Sequence, residues 1–343
     1  MKIVRAHVLQ DAIALKSPFV TALRRVESAE FIRLELHTDS GLIAYGSAPA
    51  TKAVTGETLQ SIAEALNNAI LPTVMHRPFV LDGLLQQASS ALRGNSSAKA
   101  AVDMALFSLA AQTAALPLYR FLGGKTPPGI ETAVTVSLDT PEQMVLKAGE
   151  YLAAGCNILK IKVGANDGQD AQRIRSVAQA CPEATLLVDA NQAWNVRETM
   201  AIIDAVADLP VALIEQPVAA ADLEGLKEIN KRSPFPVLAD EAVFDAEDAK
   251  RVLDAGAADL VNIKLMKCGG IAEALKIVDV CRSYRVKCML GSMLEGPVSI
   301  TAALHLAAAC PDIFEWYDLD SPLLYRSLPE DLPFTVRGNR YGL

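Results

Sequence analysis

The sequence contains no block of lysine and arginine, no uninterrupted apolar run long enough to cross a bilayer, and no CxxC pair. Each absence removes a class of function. A formal net charge of -8 repels phosphate backbones, so nucleic acid is not an expected partner. The opening residues, MKIVRAHVLQDAIALKSPF, place Asp11 inside their only apolar stretch and show no cleavage pattern, so no signal peptide is read there. The alanine-rich run 98–118 carries Lys99 and Asp103, which suits a buried helix better than a membrane span. A membrane is therefore not expected as a partner. Cys156, Cys181, Cys268, Cys281, Cys288 and Cys310 sit mostly among apolar residues and read as free thiols of a reducing, cytoplasmic compartment. His37, His76 and His305 lack the spacing of metal ligands.

What is present divides the chain. Its 343 residues exceed the usual growth of one core, so a large domain with a smaller one is expected. FIRLELHTDSGLIAYG reads as two strands around a turn at 38–41. From about 58 to 122 apolar residues recur at helical spacing, and Ser96 or Ser97 can cap the second helix. Residues 1–124 are therefore expected to form an α+β capping domain, followed by a linker, GGKTPPG, at 123–129. Short apolar strands then recur about every 25 residues, at 133–137, 158–163, 185–189, 212–215, 237–240, 260–264, 287–290 and 313–318. Helical segments lie between them, and no helix follows the eighth strand. This is the rhythm of a (β/α)7β barrel over 125–318, with a tail at 319–343 expected to return to the capping domain.

The charged residues fall at the ends of those strands. Lys160 and Lys162 end LKIK, Asp189 ends LLVD, Glu215 ends LIE, Asp240 lies in VLADE, and Lys264 ends VNIK. From Lys162 to Lys264 the intervals are 27, 26, 25 and 24 residues, so each belongs to its own neighbouring strand. In a parallel barrel those ends open on one face, where barrel active sites are built. Three adjacent carboxylates suit a hard divalent cation, and Mg²⁺ is expected. Lys162 and Lys264 would flank the acids and face each other across the mouth. A proton α to a carboxylate is weakly acidic, and a cation beside that carboxylate stabilises the ene-diolate left behind. One lysine could take the proton and the other return one on the opposite face, inverting the centre. Asn191 and Glu241 fit roles behind the ligands, and for these two and Lys267 a structural role is equally open.

This set resembles the enolase superfamily, and within it the muconate-lactonising subgroup, over essentially the whole chain. The carriers are the KxK of Lys160 and Lys162, DANQAW, EQP, ADE and NIKLMKCGG. Other segments resemble the L-Ala-D/L-Glu epimerases, which act on dipeptides. These are PFVTALRRVESAE at 18–30, like a mobile loop over the active site, a second lid within 47–58, GSMLEG, and Asp318-Leu319-Asp320. The resemblance implies that Asp318 and Asp320 bind the substrate's ammonium and that Arg24 binds a side-chain carboxylate. It adds Thr135, Lys160, Ser292 and Met293 to the substrate contacts. It also implies a homo-oligomer, with a dipeptide from peptidoglycan as substrate. Ser47, in AYGSAPA, stands where relatives often have an acidic residue. Cycloisomerases and o-succinylbenzoate synthases share the metal site and lysines, but the aspartate pair favours an amine-bearing substrate. A non-catalytic barrel protein could have lost its bases, whereas this chain keeps both lysines.

Overall fold

The computed structural model describes residues 1–125 and 129–343, and the expected linker at 123–129 lies partly outside them. The chain begins with an antiparallel sheet of β1 (Ile3–Val20), β2 (Arg25–Thr38) and β3 (Ile43–Pro49). Along β2, Ile32, Leu34 and Leu36 are buried while Arg33, Glu35 and His37 are half-buried, the two-residue period of a sheet covered on one face. The cover includes α1 (Leu59–Ala65), α2 (Leu81–Ser90) and α3 (Ser96–Thr113). Helix α3 lies between two cores. Ala98, Ala101 and Leu106 face the sheet, and Ala100, Met104 and Phe107 join the barrel core. The approach is close: a Cβ on Gly46 of β3 would stand 1.8 Å from the Ala101 carbonyl oxygen.

Both expected lid segments border the cavity described below, and each has regular structure. Residues 18–30 are mostly paired strand: Phe19 opposes Val26 and Val20 opposes Arg25, leaving only 21–24 as a hairpin tip. The strand residue before this tip is bonded to the barrel. Val20 N donates to Ser137 Oγ (3.2 Å), and Leu138 N donates to Val20 O (3.0 Å). In the second segment, Ser47 is a buried β3 residue opposite Arg33 and does not line the cavity described below. The irregular part is a single helical turn, Lys52–Thr55, ended by Gly56 at φ +77. Glu57 then accepts hydrogen bonds from Ser97 N (2.9 Å) and Ala98 N (3.1 Å), fastening this segment to the start of α3.

The expected barrel is present. Strands β5 (Val134–Val136), β6 (Ile158–Lys162), β7 (Thr185–Asp189), β8 (Val211–Glu215), β9 (Val237–Ala239), β10 (Leu260–Lys264), β11 (Lys287–Gly291) and β12 (Phe314–Asp318) form one parallel sheet in sequence order. Helices α4 (Pro141–Ala153), α5 (Asp170–Ala180), α6 (Val196–Val206), α7 (Leu223–Arg232), α8 (Ala246–Asp254), α9 (Ile271–Tyr284) and α10 (Pro297–Ala309) connect them. The seam between first and last strands is bridged by Ala133 N to Tyr317 O (2.8 Å) and Leu319 N to Thr132 Oγ1 (2.8 Å). Among the described residues, the only helical structure after β12 is the turn Ser321–Leu324.

The tail meets the capping sheet before it turns to the barrel entry, with Lys16 Nζ donating to Leu323 O (2.8 Å). It touches the capping sheet where Arg326 N donates to Ala14 O (2.8 Å). Its last strands, β13 (Thr335–Arg337) and β14 (Arg340–Gly342), instead pair with β4 (Ile130–Glu131) at the entry to the barrel. Tyr341 is the reason: its buried ring needs the barrel core, and its hydroxyl donates to Leu319 O (3.1 Å).

Strand alternation sorts the barrel residues. Leu186, Val188, Ile214, Val261 and Ile263 point out to the helices. Ala133, Leu187, Leu213, Leu238, Leu260 and Met289 form a separate apolar cluster within. Two residues beyond Leu187, Leu213 and Leu238 come Asp189, Glu215 and Asp240, which share the inward phase. The same alternation aligns Lys160 with Lys162 and Asn262 with Lys264.

Candidate active site

Lys162, Asp189 and Glu215 stand side by side, because Lys162 pairs with Asp189 and Asp189 with Glu215 across the parallel ladder. Asp240 follows the end of β9 directly. Glutamine 216, at φ +36, turns its side-chain oxygen to accept Asp240 N (3.0 Å) and Ala242 N (3.1 Å), so the β8 turn sets the β9 turn. Asn191, at φ +44, donates from its backbone to Asp189 Oδ1 (2.9 Å) and from Nδ2 to Glu241 Oε1 (3.2 Å). Left-handed backbone at non-glycine residues persists only where neighbours hold it, and here it sits beside the charged cluster.

The acids and lysines form a layered cluster. Lys160 is fully buried, with its Nζ 3.0 Å from Asp189, 2.8 Å from Glu215 and 2.7 Å from Asp318. Above it, Lys162 Nζ donates to Asp189 Oδ2 (2.5 Å). Lys264 Nζ donates to Asp240 Oδ2 (2.7 Å), and Lys267 Nζ lies 2.6 Å from Asp240 Oδ1. Lys267 also donates to the carbonyl oxygens of Asn262 (3.0 Å) and Asp240. Gly291 gives Lys264 its room, since a Cβ there would lie 2.9 Å from Lys264 Cε.

Electrostatics follow from this burial. Desolvation opposes the charge on Lys160, yet Asp189, Asp318 and Glu215 outweigh it and hold its pKa well above the usual value. Lys264 is likewise raised, with Asp240 overcoming burial. Burial would raise Asp189, but Lys160 and Lys162 bring it down to about 2. Burial together with Asp189 pushes Glu215 up to about 8. Glu241 rises to about 7 through burial and the neighbouring Asp240. Asp320 rises to about 6 through burial and Asp318.

Most of the residues singled out in the sequence meet at one cavity. Arg24 enters from the hairpin tip with Phe19 and Leu23, and Thr51, Ala53 and Val54 come from the second segment. Thr135, Lys162, Asn191, Asp240, Glu241, Lys264, Ser292, Met293, Asp318 and Asp320 supply the barrel side. Lys160, Asp189 and Glu215 are fully buried and do not line it, so for Lys160 the structure shows an ion-pairing position rather than a cavity contact. Thr135 N donates to Asp320 Oδ2 (2.7 Å), and Ser292 N donates to Asp318 O (2.9 Å). Asn262, Gln216 and Gly291 were not foreseen. Asn262 Nδ2 donates to Glu215 Oε1 (2.9 Å), and its place two residues before Lys264 was the available signal.

Among the described residues, no three His, Cys, Asp or Glu side chains already stand as ligands around one point. Each expected carboxylate is turned towards an ammonium group instead. The donor set nevertheless suits a cation. Glu215 Oε2 and Asp240 Oδ1 approach Lys160 and Lys267 within ion-pair distance, but neither makes an aligned hydrogen bond. Glu241 Oε2 and Asn191 Oδ1 are also buried without a partner. With every group ionised, Asp189, Glu215, Asp240, Glu241, Asp318 and Asp320 would outnumber Lys160, Lys162, Lys264 and Lys267 by two, an excess that a divalent cation would neutralise.

Residues 143–341 match the family described as enolase C-terminal domain-like, and residues 3–123 match the mandelate racemase/muconate lactonizing enzyme N-terminal domain. The chain belongs to the mandelate racemase/muconate lactonizing family. Within that family it is 43% identical to the L-amino acid-D/L-Glu epimerase of Sulfurimonas denitrificans, with 98% of each chain covered. The substrate-liganded L-Ala-D/L-Glu epimerase from Bacillus subtilis superposes with a TM-score of 0.97 at 39% identity, covering 100% of this chain and 96% of that one. The Enterococcus faecalis dipeptide epimerase, complexed with Mg and L-Leu-L-Tyr, superposes at 0.93 with 37% identity, covering 100% and 97%. The lysine-carboxylate mouth described above is therefore the mouth of a mandelate racemase/muconate lactonizing family barrel.

Proposed function

We propose that the protein is a Mg²⁺-dependent dipeptide epimerase acting on Ala-Glu substrates by two-base proton transfer. The observation that carries this reading is the placement of Lys162 and Lys264. They lie on β6 and β10, four strands apart in an eight-stranded barrel, and line the same cavity from opposite walls. Between them stand acids in excess of the lysines. Asp189, Glu215 and Asp240 would hold Mg²⁺, which when bound supplies positive charge for the substrate carboxylate as its α-proton leaves.

The chain's own groups do the rest. A neutral lysine accepts the α-proton on one face of the carbon, and the protonated lysine opposite delivers a proton to the other face. The proton count is conserved, and the two lysines exchange roles when the reaction runs backward. Asp318 and Asp320 take the dipeptide ammonium, and two carboxylates match its three N–H donors. Arg24 receives the glutamate side chain, with Thr135, Ser292 and Met293 fixing the backbone between. A peptidoglycan-derived dipeptide fits these groups as the source of substrate. Phe19, Leu23, Val54 and Met293 also give the cavity an apolar side, which favours a hydrophobic dipeptide as the second reading.

The test is α-proton exchange in deuterated water on L-Ala-L-Glu and L-Ala-D-Glu, with L-Leu-L-Tyr for comparison. Exchange of both Ala-Glu epimers is expected, lost on chelation and restored by Mg²⁺. Undiminished exchange after chelation would remove the metal. A strong preference for L-Leu-L-Tyr would move the assignment to the second reading.

A further inference from the structure

One buried ion pair outside the cavity links several loops of the mouth. Asp170 is the first residue of α5 and is only 6% exposed. Its Oδ2 accepts from Gly164 N (3.0 Å) in the loop after β6 and from Trp194 Nε1 (2.8 Å) in the loop after β7. Its Oδ1 accepts from Arg173 Nη1 (3.0 Å). Arg173 in turn donates from Nε to Asp139 O (2.7 Å) in the loop after β5. Arg173 also donates to Asp167 in the loop after β6, from Nη1 to Oδ1 (2.7 Å) and from Nη2 to Oδ2 (2.6 Å), so Asp170 and Arg173, with Asp167, join three consecutive loops of the barrel face.

Those loops carry one side of the site. Gly164 is two residues beyond Lys162, and Trp194 three beyond Asn191. Leu138, beside Asp139, donates to Val20 of the hairpin that ends in Arg24. Gly164 is itself a contact point: at φ +100, a Cβ there would stand 2.4 Å from Ala193 Cβ and 3.0 Å from Ala22 Cβ at the hairpin tip. The Lys264 side is held by other groups. Lys267 binds Asp240, and Asp103 of α3 accepts from Ile271 N (2.5 Å) and Ala272 N (3.2 Å).

We propose that Asp170, through Gly164 and Trp194, is the positioning residue for the Lys162 half of the reaction, and that Lys264 is positioned independently of it. This rests on the two-base reading above. It makes a prediction that a general stabilising role does not: loosening Asp170 should impair one direction of proton transfer and spare the other.

The experiment measures deuterium exchange of each Ala-Glu epimer separately, in metal-loaded enzyme. Lys162→Ala first identifies the epimer that depends on Lys162. In Asp170→Asn, exchange of that epimer should fall roughly 10- to 100-fold, the usual effect of a displaced catalytic group. Exchange of the other epimer should stay near wild type, and Asp170→Glu should recover part of the loss. Equal loss for both epimers, or no loss for either, overturns the proposal. Should Asp170→Asn fail to melt cooperatively, Trp194→Phe, which removes only the indole donor, decides by the same ratio of the two exchange rates. A wild-type enzyme that exchanges neither epimer, or a Lys162→Ala variant that loses both equally, would instead refute the two-base reading, and that result is visible without any Asp170 variant.

Discussion

Arg24 occupies an unusual position for a cation. It is half-buried over the Phe19 ring (5.9 Å), lines the cavity, and forms no ion pair among the described residues. Burial lowers its pKa, so the folded chain holds a guanidinium whose desolvation is not yet offset. A glutamate side chain would supply the missing partner. Arg24→Met should raise KM for Ala-Glu, with a loss of about 1.5–3 kcal/mol in kcat/KM for one charge-assisted contact. Ala-Leu should be affected much less, and steady-state kinetics on both dipeptides check this. Equal losses would place Arg24 outside the specificity pocket. At this scale the sequence was readable wherever a charge closed an apolar run: Lys162, Asp189, Glu215, Asp240 and Lys264 stand out because a buried strand has no other use for them. Asn262 and Gln216 did not, since a neutral polar residue near a strand end is ordinary. Nor could the KxK pattern show that Lys160 would be enclosed by three carboxylates while Lys162 reached the cavity.

Among the elements, the hairpin and the turn after β3 form the wall opposite the barrel, and each is held by contacts distant in sequence. The strand pairing within 18–30 was not legible in its residues. Its mixed run of polar and apolar residues has no clear period, and the partners that fix it, Ser137 and Leu138, lie more than a hundred residues away. The barrel strands needed no such help, because continuous apolar runs at a steady interval describe a parallel sheet locally. Glu57 is the corresponding anchor for the second segment. It is buried and makes both of its hydrogen bonds to the first amides of α3, where a carboxylate also meets the positive end of the helix dipole. Glu57→Ala should destabilise the protein by about 1–2 kcal/mol, in the range of a lost helix cap. Thr51, Ala53 and Val54 should lose their fixed place along with it. The expected result is a lower urea midpoint together with a higher KM, and an unchanged KM would show that the segment is held without Glu57.

Across the whole molecule, α3 is the member shared by both cores, and Asp103 is its polar link to the barrel. Burial raises the Asp103 carboxyl to about 7, although the amides of Ile271 and Ala272 pull the other way. A group whose folded pKa is raised binds its proton more tightly in the native state, so the stability it confers is complete below its unfolded pKa, near 3.8. That contribution is lost as pH climbs towards 7. Asp103→Asn has no such titration. The stability gap between the two proteins should therefore narrow as pH rises through this window, and urea midpoints at about pH 4 and about pH 8 measure it. A gap constant with pH would mean that Asp103 titrates normally. The inward phase of the barrel strands has a consequence for descent. Asp189 and Lys264 point into the barrel because each lies an even number of residues from an inward neighbour, and a one-residue deletion within β7 or β10 would turn them out towards the helices. Lineages carrying this barrel can trade residues in place along those strands, but they cannot shorten or lengthen them by one and keep the chemistry. The hairpin tip at 21–24 and the turn at 52–55 bear no such arithmetic. Inherited variation in length can accumulate there, so under the proposed function the choice of dipeptide is free to diverge while the lysines and acids of the strand ends are passed on unchanged.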